Sequence, residues 1–464
     1  MHGDIQGHRE RVQQIAHKIQ EARERDEKPV IYHGSSHSVR PDAFQDDDKI
    51  HVEQLDHVIS IDPDEEKAFI EPDVTVRELT GYALDHGLMP YVVPEFPTIS
   101  IGGAIQGGAG ESSSFEHGLV GNHASRIEIV TGGAEIVEAS EDRHSDLYYG
   151  TACSYGSLGI MTGITINLMP AKENVRLRYI RVDGFEDAIR TIKDWCERDI
   201  DFIDGIMFSR NRGVIMVGWL SDRQDRTVRR FGRMQDEWFY LHADRVSEHR
   251  EIYEESIPLE DYLFRYNIGA FWAIKLGYRE AGIPFNRYTR TLLHPFMDTA
   301  TAYDQGIHGG NFSSTHIVQD IITANRDTLE LLEWVDDTLG IYPLWLLPLQ
   351  PQGSAKLAPN YLDTNLCINV GLWGRPDGNP VRRKHQLEAK ARELEARKTL
   401  YAQQFYDRDT FWSIYDRDWY QRLRERYDAD VFPTVYDKTH MDELPPPSME
   451  KAARETFKKW LPGT

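Results

Sequence analysis

The stretch Ile99-Ser100-Ile101-Gly102-Gly103-Ala104-Ile105-Gln106-Gly107-Gly108-Ala109-Gly110 places five glycines in twelve residues and carries no charged side chain. Without bulky Cβ substituents, consecutive backbone N–H groups can point into one concavity, and a loop of this kind can hold a diphosphate without lysines. Two further small-residue loops flank it in the chain. His33-Gly34-Ser35-Ser36-His37-Ser38 follows the strand-like run PVIY. Ser154-Tyr155-Gly156-Ser157-Leu158-Gly159-Ile160 follows SDLYYG, and its glycines would let the backbone approach a flat ring closely. One glycine-rich turn is usually structural, whereas three in one β-rich segment predict a dinucleotide cradle.

Outward from these loops, VISID (58–62) and KAFIEP (67–72) bracket the turn DPDEE and predict a hairpin. Thr75 with Glu78 forms a capping box, Val76, Leu79 and Ala83 share an apolar face, and Gly87 is placed to end that helix. Upstream, Val12, Ile15, Ile19 and Ala22 recur at helical spacing between Arg9 and Arg25, which predicts an amphipathic helix lying on the body. Beyond Pro170 the elements lengthen and become rich in Trp, Tyr and Arg. There VRLRYIRV (175–182), Ser209–Trp219, Tyr342–Leu349 and Leu366–Trp373 read as strands, and Asn325–Thr338 and Arg383–Tyr401 as helices. The charged run 382–398 predicts a solvated helix face. Together these predict an α+β protein with an N-terminal helix (1–29), a ligand-cradling domain (30–172), a second domain (173–430) and a C-terminal segment (431–464).

The 464 residues carry 53 Lys and Arg against 75 Asp and Glu, a formal charge of −22. That balance repels phosphate backbones, so nucleic acid is not an expected partner. Cys153, Cys196 and Cys367 form no zinc-type cluster, and no run of about 18 apolar residues suits a spanning helix. A soluble cytoplasmic protein is expected, with at most peripheral membrane contact. No GxGxxG opens a helix after the first strand, and GxxxxGK[ST], HExxH and GxSxG are absent. His33 and His37 have i,i+4 spacing but sit in a glycine-containing loop, so no metal site is expected.

Longer strings resemble one family closely. VVPEF (92–96), IGGAIQGGAGESSSFEHGL (101–119), SDLYYG, GSLGI (156–160), NLMPAK, VRLRY, YPLWLLPL, LYAQQFYDRDTFW and FPTVYDK (432–438) resemble the delta(24)-sterol reductases (the seladin/diminuto family), a branch of the vanillyl-alcohol oxidase superfamily. The likeness runs from about Arg11 to Lys438. It implies a two-domain FAD-binding fold of the PCMH type with a mixed α/β cap, and a bound FAD, with NADPH as external reductant. The diphosphate would lie against Gly34, Ser35, Ser36, His37 and Ser38 and against the stretch holding Ser100, Gly102, Gly103, Gly107, Gly108 and Gly110, continued by Glu111, Ser112 and Ser113. Gly156, Gly159 and Ile160 would flank the adenine half or the isoalloxazine edge, and the segment around Tyr436 would fold back toward the cofactor. Two features depart from the family. A hydrophobic anchor ahead of the flavin domain, as membrane sterol reductases carry, is not expected, and His37 stands where sugar and lactone oxidases of the superfamily carry the histidine tied covalently to flavin.

An isolated side-chain double bond is electron-rich and does not accept hydride directly. Its reduction needs hydride from flavin N5, a proton from a buried acid, a π-rich wall and exclusion of water. Glu95, Glu111, His117, Tyr436 and Lys438 are the candidates that the matched motifs supply, and no single one stands out. Phe271-Trp272, Trp345, Trp373 and Phe411-Trp412 are candidate walls for a flat apolar substrate. The expected function is an FAD-dependent ene-reductase of a sterol-like or isoprenoid alkene. The alternatives are a flavin oxidase or dehydrogenase of an alcohol or sugar-type substrate with His37-linked FAD, and a flavoprotein without catalysis.

Overall fold

The computed structural model describes residues 4–33, 38, 49–223, 227–302 and 312–442. Helix α1 (Ile5–Glu24) starts at Asp4, whose carboxylate accepts the Gly7 amide, and it buries the predicted stripe of Val12, Ile15, Ile19 and Ala22. It also buries His8, whose Nδ1 lies 2.8 Å from Glu71 and whose Nε2 lies 3.2 Å from Glu128, while Arg11 reaches Glu71 at 2.7 Å. An apolar stripe and an ionic clamp thus fix the same helix to the body.

The first unit pairs β1 (Val30–Tyr32) with β2 (Lys49–His51) in parallel. Its main sheet runs β3 (Val58–Asp62), β4 (Lys67–Ile70), β8 (Ile160–Pro170), β6 (Ala124–Val130) and β7 (Ile136–Ala139), with β5 (Leu88–Pro90) on the far end of β8. The predicted hairpin is β3–β4, and helix α2 (Val76–Leu84) carries the Thr75–Glu78 capping box. The glycine-rich stretch departs from expectation. It is not an open loop but holds helix α3 (Ile101–Gly107), capped by the Ser100 hydroxyl at its start and closed by Gly108 at φ +73°. Glycine costs helix propensity, and Ala104 and Ile105, buried in the core, supply the packing that offsets it. Helix α4 (Ser145–Thr151) precedes the third glycine-bearing turn.

The second unit is built on an eight-stranded sheet, ordered β12 (Ile252–Pro258), β9 (Asn174–Val182), β11 (Arg212–Ser221), β10 (Phe202–Ser209), β14 (Leu344–Leu349), β15 (Cys367–Gly374), β13 (Ile317–Ala324) and β16 (Arg397–Lys398). Side chains alternate across it. Leu344 and Leu346 face a core under helices α5 (Phe185–Cys196), α8 (Thr328–Leu339) and α9 (Pro380–Glu393), whereas Trp345, Leu347 and Leu349 face the first unit. Burial on both faces explains why YPLWLLPL reads as an unbroken apolar run. Between β12 and β13 lie α6 (Ala273–Glu280) and α7 (Arg287–Leu293).

Three boundaries shift. Ser209 ends β10, and the following strand begins at Arg212. Helix α8 starts at Thr328 rather than Asn325. The expected helix Arg383–Tyr401 stops at Glu393, and residues 397–398 form an edge strand instead. Its charged run is not a solvated face throughout: Lys384, Glu388, Lys390 and Lys398 are buried. Lys398 pairs with Glu388 at 2.7 Å and Lys390 with Glu330, which neutralises those charges, whereas Lys384 donates to the neutral Gln403 at 2.6 Å and burial lowers the lysine to about 7.

The chain then returns to the first unit. Helix α10 (Arg417–Arg426) packs beside α4, Arg426 and Tyr427 hold Asp146 at 2.7 and 2.8 Å, and Arg424 donates to the Ser157 carbonyl at 2.6 Å. Residues 443–464 lie outside the described residues.

Burial opposes protonation of His8, but its hydrogen bonds to Glu128 and Glu71 outweigh that and lift it from 6.5 to about 9. A histidine raised in this way contributes stability that is complete below pH 6.5 and is lost as pH climbs through about 9. Melting temperature should therefore fall across that window. His8→Gln should flatten the dependence; an identical pH curve in the variant would remove His8 as its cause.

Candidate flavin site

A cavity of about 450 Å³ lies between the two units. Along one side run Ser100, Gly102, Gly103, Gly107, Gly108 and Gly110; Gly156, Gly159 and Ile160 close it, with Ser38 and Lys438 at the border. Opposite stand Trp345, Trp373, Asp320 and Asn369 from the large sheet. The structure thus gathers most of the expected cofactor residues around one space. Gly34, Ser35, Ser36 and His37 lie outside the described residues.

The way the α3 stretch faces the cavity differs from the expectation of free amides. The N–H groups of Ile101 and Gly102 are spent on the carbonyls of Val74 and Pro72, and those of Gly103 and Ala104 on Ser100. What the glycines offer is the absence of side chains. A Cβ on Gly107 would meet nothing within 4 Å, so its missing side chain leaves open space. At Gly159, φ is +158°, and a Cβ would lie 2.6 Å from Ile129 and 2.8 Å from the Val130 carbonyl. Lys438 Nζ donates to the carbonyls of Tyr155 (2.8 Å) and Gly156 (3.2 Å), which pins the third turn from the far end of the chain.

The five acid–base candidates separate. Glu95 lines the cavity and is buried. Burial raises its carboxyl well above the usual range, the neighbouring charge of Glu111 adds to this, and Arg265 opposes it. Glu111 turns instead to the buried guanidinium of Arg265 at 2.8 Å and accepts from the Ser112 amide and hydroxyl. Ser113 donates to the Tyr91 carbonyl at 2.8 Å. Glu111, with Arg265, and Ser112, with Tyr262, therefore serve the joint between the units, Ser113 bonds within the first unit, and none of the three lines the cavity. His117 packs against Tyr91 and His123, with ring centres 5.0 and 5.7 Å away. Tyr436 sits in an aromatic cluster with Phe411 and His440 and donates to the Tyr406 carbonyl. Neither lines the cavity; Lys438 does.

Sequence reasoning missed an acidic group opposite the glycines. Asp320 accepts from Asn369 Nδ2 at 2.8 Å and from the Tyr401 hydroxyl at 2.7 Å, and burial outweighs these bonds to raise its carboxyl. The Tyr401 carbonyl in turn accepts from Ser38 at 2.8 Å, which ties this group to the first loop. Asp73, half-buried at the same cavity, is pushed up to about 7 by burial and by the charges of Asp56, Glu53 and Glu78. LYAQQFY had flagged Tyr401's segment; Asp320 and Asn369 sit in apolar strands, and only strand pairing brings them together.

The aromatic strings also divide. Phe271 stacks on Tyr266 at 4.1 Å and lies 4.3 Å from Trp373, so Trp345 and Trp373 form a wall backed by Phe271 and Trp272. Phe411 and Trp412 pack with Tyr415 and Tyr420, away from it.

Asp56, His57 and Glu71 place ligand atoms within 4.8 Å of one another, but Glu71 is already engaged by Arg11 and His8. The large cavity suits a flat dinucleotide better. It is walled by bare glycines, and it holds two buried acceptors without partners among the described residues, Gln106 Oε1 and Asn369 Oδ1.

The FAD-binding domain family matches residues 9–140. The chain is 27% identical to the delta(24)-sterol reductase of Homo sapiens over 448 residues, covering 93% of this chain and 86% of that protein. It is 27% identical to that of Arabidopsis thaliana over 435 residues, 84% and 76% of the two chains. Its likeness to the delta(24)-sterol reductases thus runs along most of the chain. Cytokinin dehydrogenase 4 of Oryza sativa subsp. japonica shares 30% identity over 136 residues, 28% of this chain and 25% of that protein. The chain is an FAD-dependent oxidoreductase, and the glycine wall leaves room for a flat cofactor.

Gly107→Leu tests that fit. The substitution should leave the apoprotein folded, because its side chain enters open space and leucine favours a helix. Flavin content per polypeptide, read from absorbance, should fall by roughly tenfold or more. A fully yellow variant would show that the flavin lies elsewhere.

Proposed function

We propose that the protein reduces an isolated carbon–carbon double bond in a sterol-like or isoprenoid substrate, with NADPH as the reductant. The observation that carries this reading is a buried carboxyl, Glu95, held toward its neutral form in the same cavity as the glycine wall and the Trp345–Trp373 wall. Bound FAD would supply hydride from its ring. Glu95 holds the proton for the second alkene carbon, since a carboxyl kept neutral by burial is an acid at neutral pH. Trp345 and Trp373 offer an apolar, π-rich surface for a flat substrate and for positive charge developing on the alkene. Asp320, steadied by Asn369 and Tyr401, orients the opposite edge of the site. In this reading residues 30–172 hold the cofactor, 173–430 shape the substrate side, and Lys438 anchors the turn at Gly156. Similarity to reductases along most of the chain supports this over oxidation of an alcohol.

The direct test is anaerobic. NADPH should bleach the bound flavin, and a sterol with an unsaturated side chain should restore the colour and gain two hydrogens by mass. Recovery within seconds by air, indifferent to the alkene, would favour an oxidase; colour that stays with acid-denatured polypeptide would establish covalent flavin.

Glu95→Gln should keep flavin content and bleaching while slowing alkene-dependent reoxidation by roughly 10²–10⁴-fold. In the unmodified enzyme that rate should decline as pH rises through the raised carboxyl value, because the acid form is then lost; in Glu95→Gln it should be low and flat. Asp320→Asn, which keeps one acceptor oxygen and turns the other into an amide donor, should cost less. An unimpaired Glu95→Gln enzyme would exclude Glu95 as the proton source.

A further inference from the structure

We propose that the hairpin of α6 and α7 docks on the surface of an anionic lipid bilayer. Helix α7 buries none of its side chains. Tyr288 is 85% and Leu292 78% exposed, and a spacing of four places both on one helix face; Ile283, in the turn before it, is also exposed. A single exposed leucine needs no explanation. A helix that fully buries none of its side chains and turns Tyr288 and Leu292 outward, while Leu293 packs against the core, marks a contact surface.

The hairpin is held firmly enough to present that surface. Phe285 packs on Trp238 at 5.4 Å and Tyr278 at 5.2 Å, and the Arg290 guanidinium covers both Phe285 and Trp238. Asn286 caps α7, and Tyr278 donates to the Thr289 carbonyl.

Charge selects the occupant. Residues 273–297 carry Lys275, Arg279, Arg287 and Arg290 against the single carboxylate Glu280, in a chain of net charge −22. Lys275, Arg279 and Arg287 are exposed. A cationic rim around an apolar tip is complementary to a negatively charged headgroup layer into which tyrosine and leucine can sink. The same net charge opposes association of two copies of this chain.

The location adds a consequence. Phe271 and Trp272 lead directly into α6, and the Trp272 indole N–H donates to the Trp373 carbonyl at 2.9 Å. A tip resting on lipid would link the aromatic wall of the cavity, through α6 and Trp272, to the source of apolar molecules. This docking does not depend on which reaction the cavity performs.

The test is flotation of the flavin-loaded full chain with vesicles. Binding is expected to phosphatidylcholine vesicles holding about 30% phosphatidylserine, with release as salt screens the charges, and little to phosphatidylcholine alone. Tyr288→Ser combined with Leu292→Ser should lower the bound fraction by roughly tenfold, with melting temperature and flavin content unchanged. Arg279→Gln combined with Arg287→Gln should remove the preference for phosphatidylserine. Absence of flotation, or a Tyr288/Leu292 variant that floats as well as the parent, would overturn the proposal. So would a dimer seen by sedimentation that the same variant dissolves while lipid is ignored.

Discussion

The guanidinium of Arg265 is the point on which the two units are registered. It is fully buried, it pairs with Glu111 at 2.8 Å and Asp204 at 3.2 Å, and it lies over the rings of Tyr262 and Tyr266 at 4.2 and 4.7 Å. Glu111 directly follows the glycine stretch of the first unit, whereas Asp204 belongs to β10 of the second and also accepts from the Trp345 indole at 3.1 Å. One cation therefore sets the glycine wall against the tryptophan wall. A buried ion cluster of this kind adds little net stability, yet loss of one member leaves an uncompensated charge costing roughly 3–5 kcal/mol. Its value here is positional.

The same low-dielectric region gives otherwise similar carboxyls different work. Glu111 has a cation and serves structure. Glu95 makes no ion pair among the described residues, and burial together with the charge of Glu111 pushes it toward the neutral form against Arg265. Asp320 is buried too, but two donors hold its orientation. Roles are thus assigned by partners rather than by residue type.

Much of the architecture was legible locally. The stripe on α1, the Thr75–Glu78 box, the β3–β4 hairpin and the strand at 344–349 all follow from short-range pattern, and the structure places them as expected. The glycine stretch was located correctly but its conformation was not, because Ser100 and Gly108 supply caps that composition alone obscures. The charged run after Pro380 misled for another reason: Lys398 pairs with Glu388 and Lys384 donates to Gln403 across a turn, partners that no helical wheel displays. Of the site, Glu95, Ser100, the glycines, Ile160 and Lys438 were readable from motifs. Asp320, Asn369 and their link through Tyr401 to Ser38 were not, since they meet only by pairing strands about fifty residues apart.

The clasp of Lys438 on the carbonyls of Tyr155 and Gly156 joins residues separated by some 280 positions. A ribosome making this chain must finish the whole second unit before that clasp can form. The N-terminal unit thus emerges with its sheet complete but its third turn unpinned. The cavity that this turn borders therefore takes its final lining only at the end of synthesis.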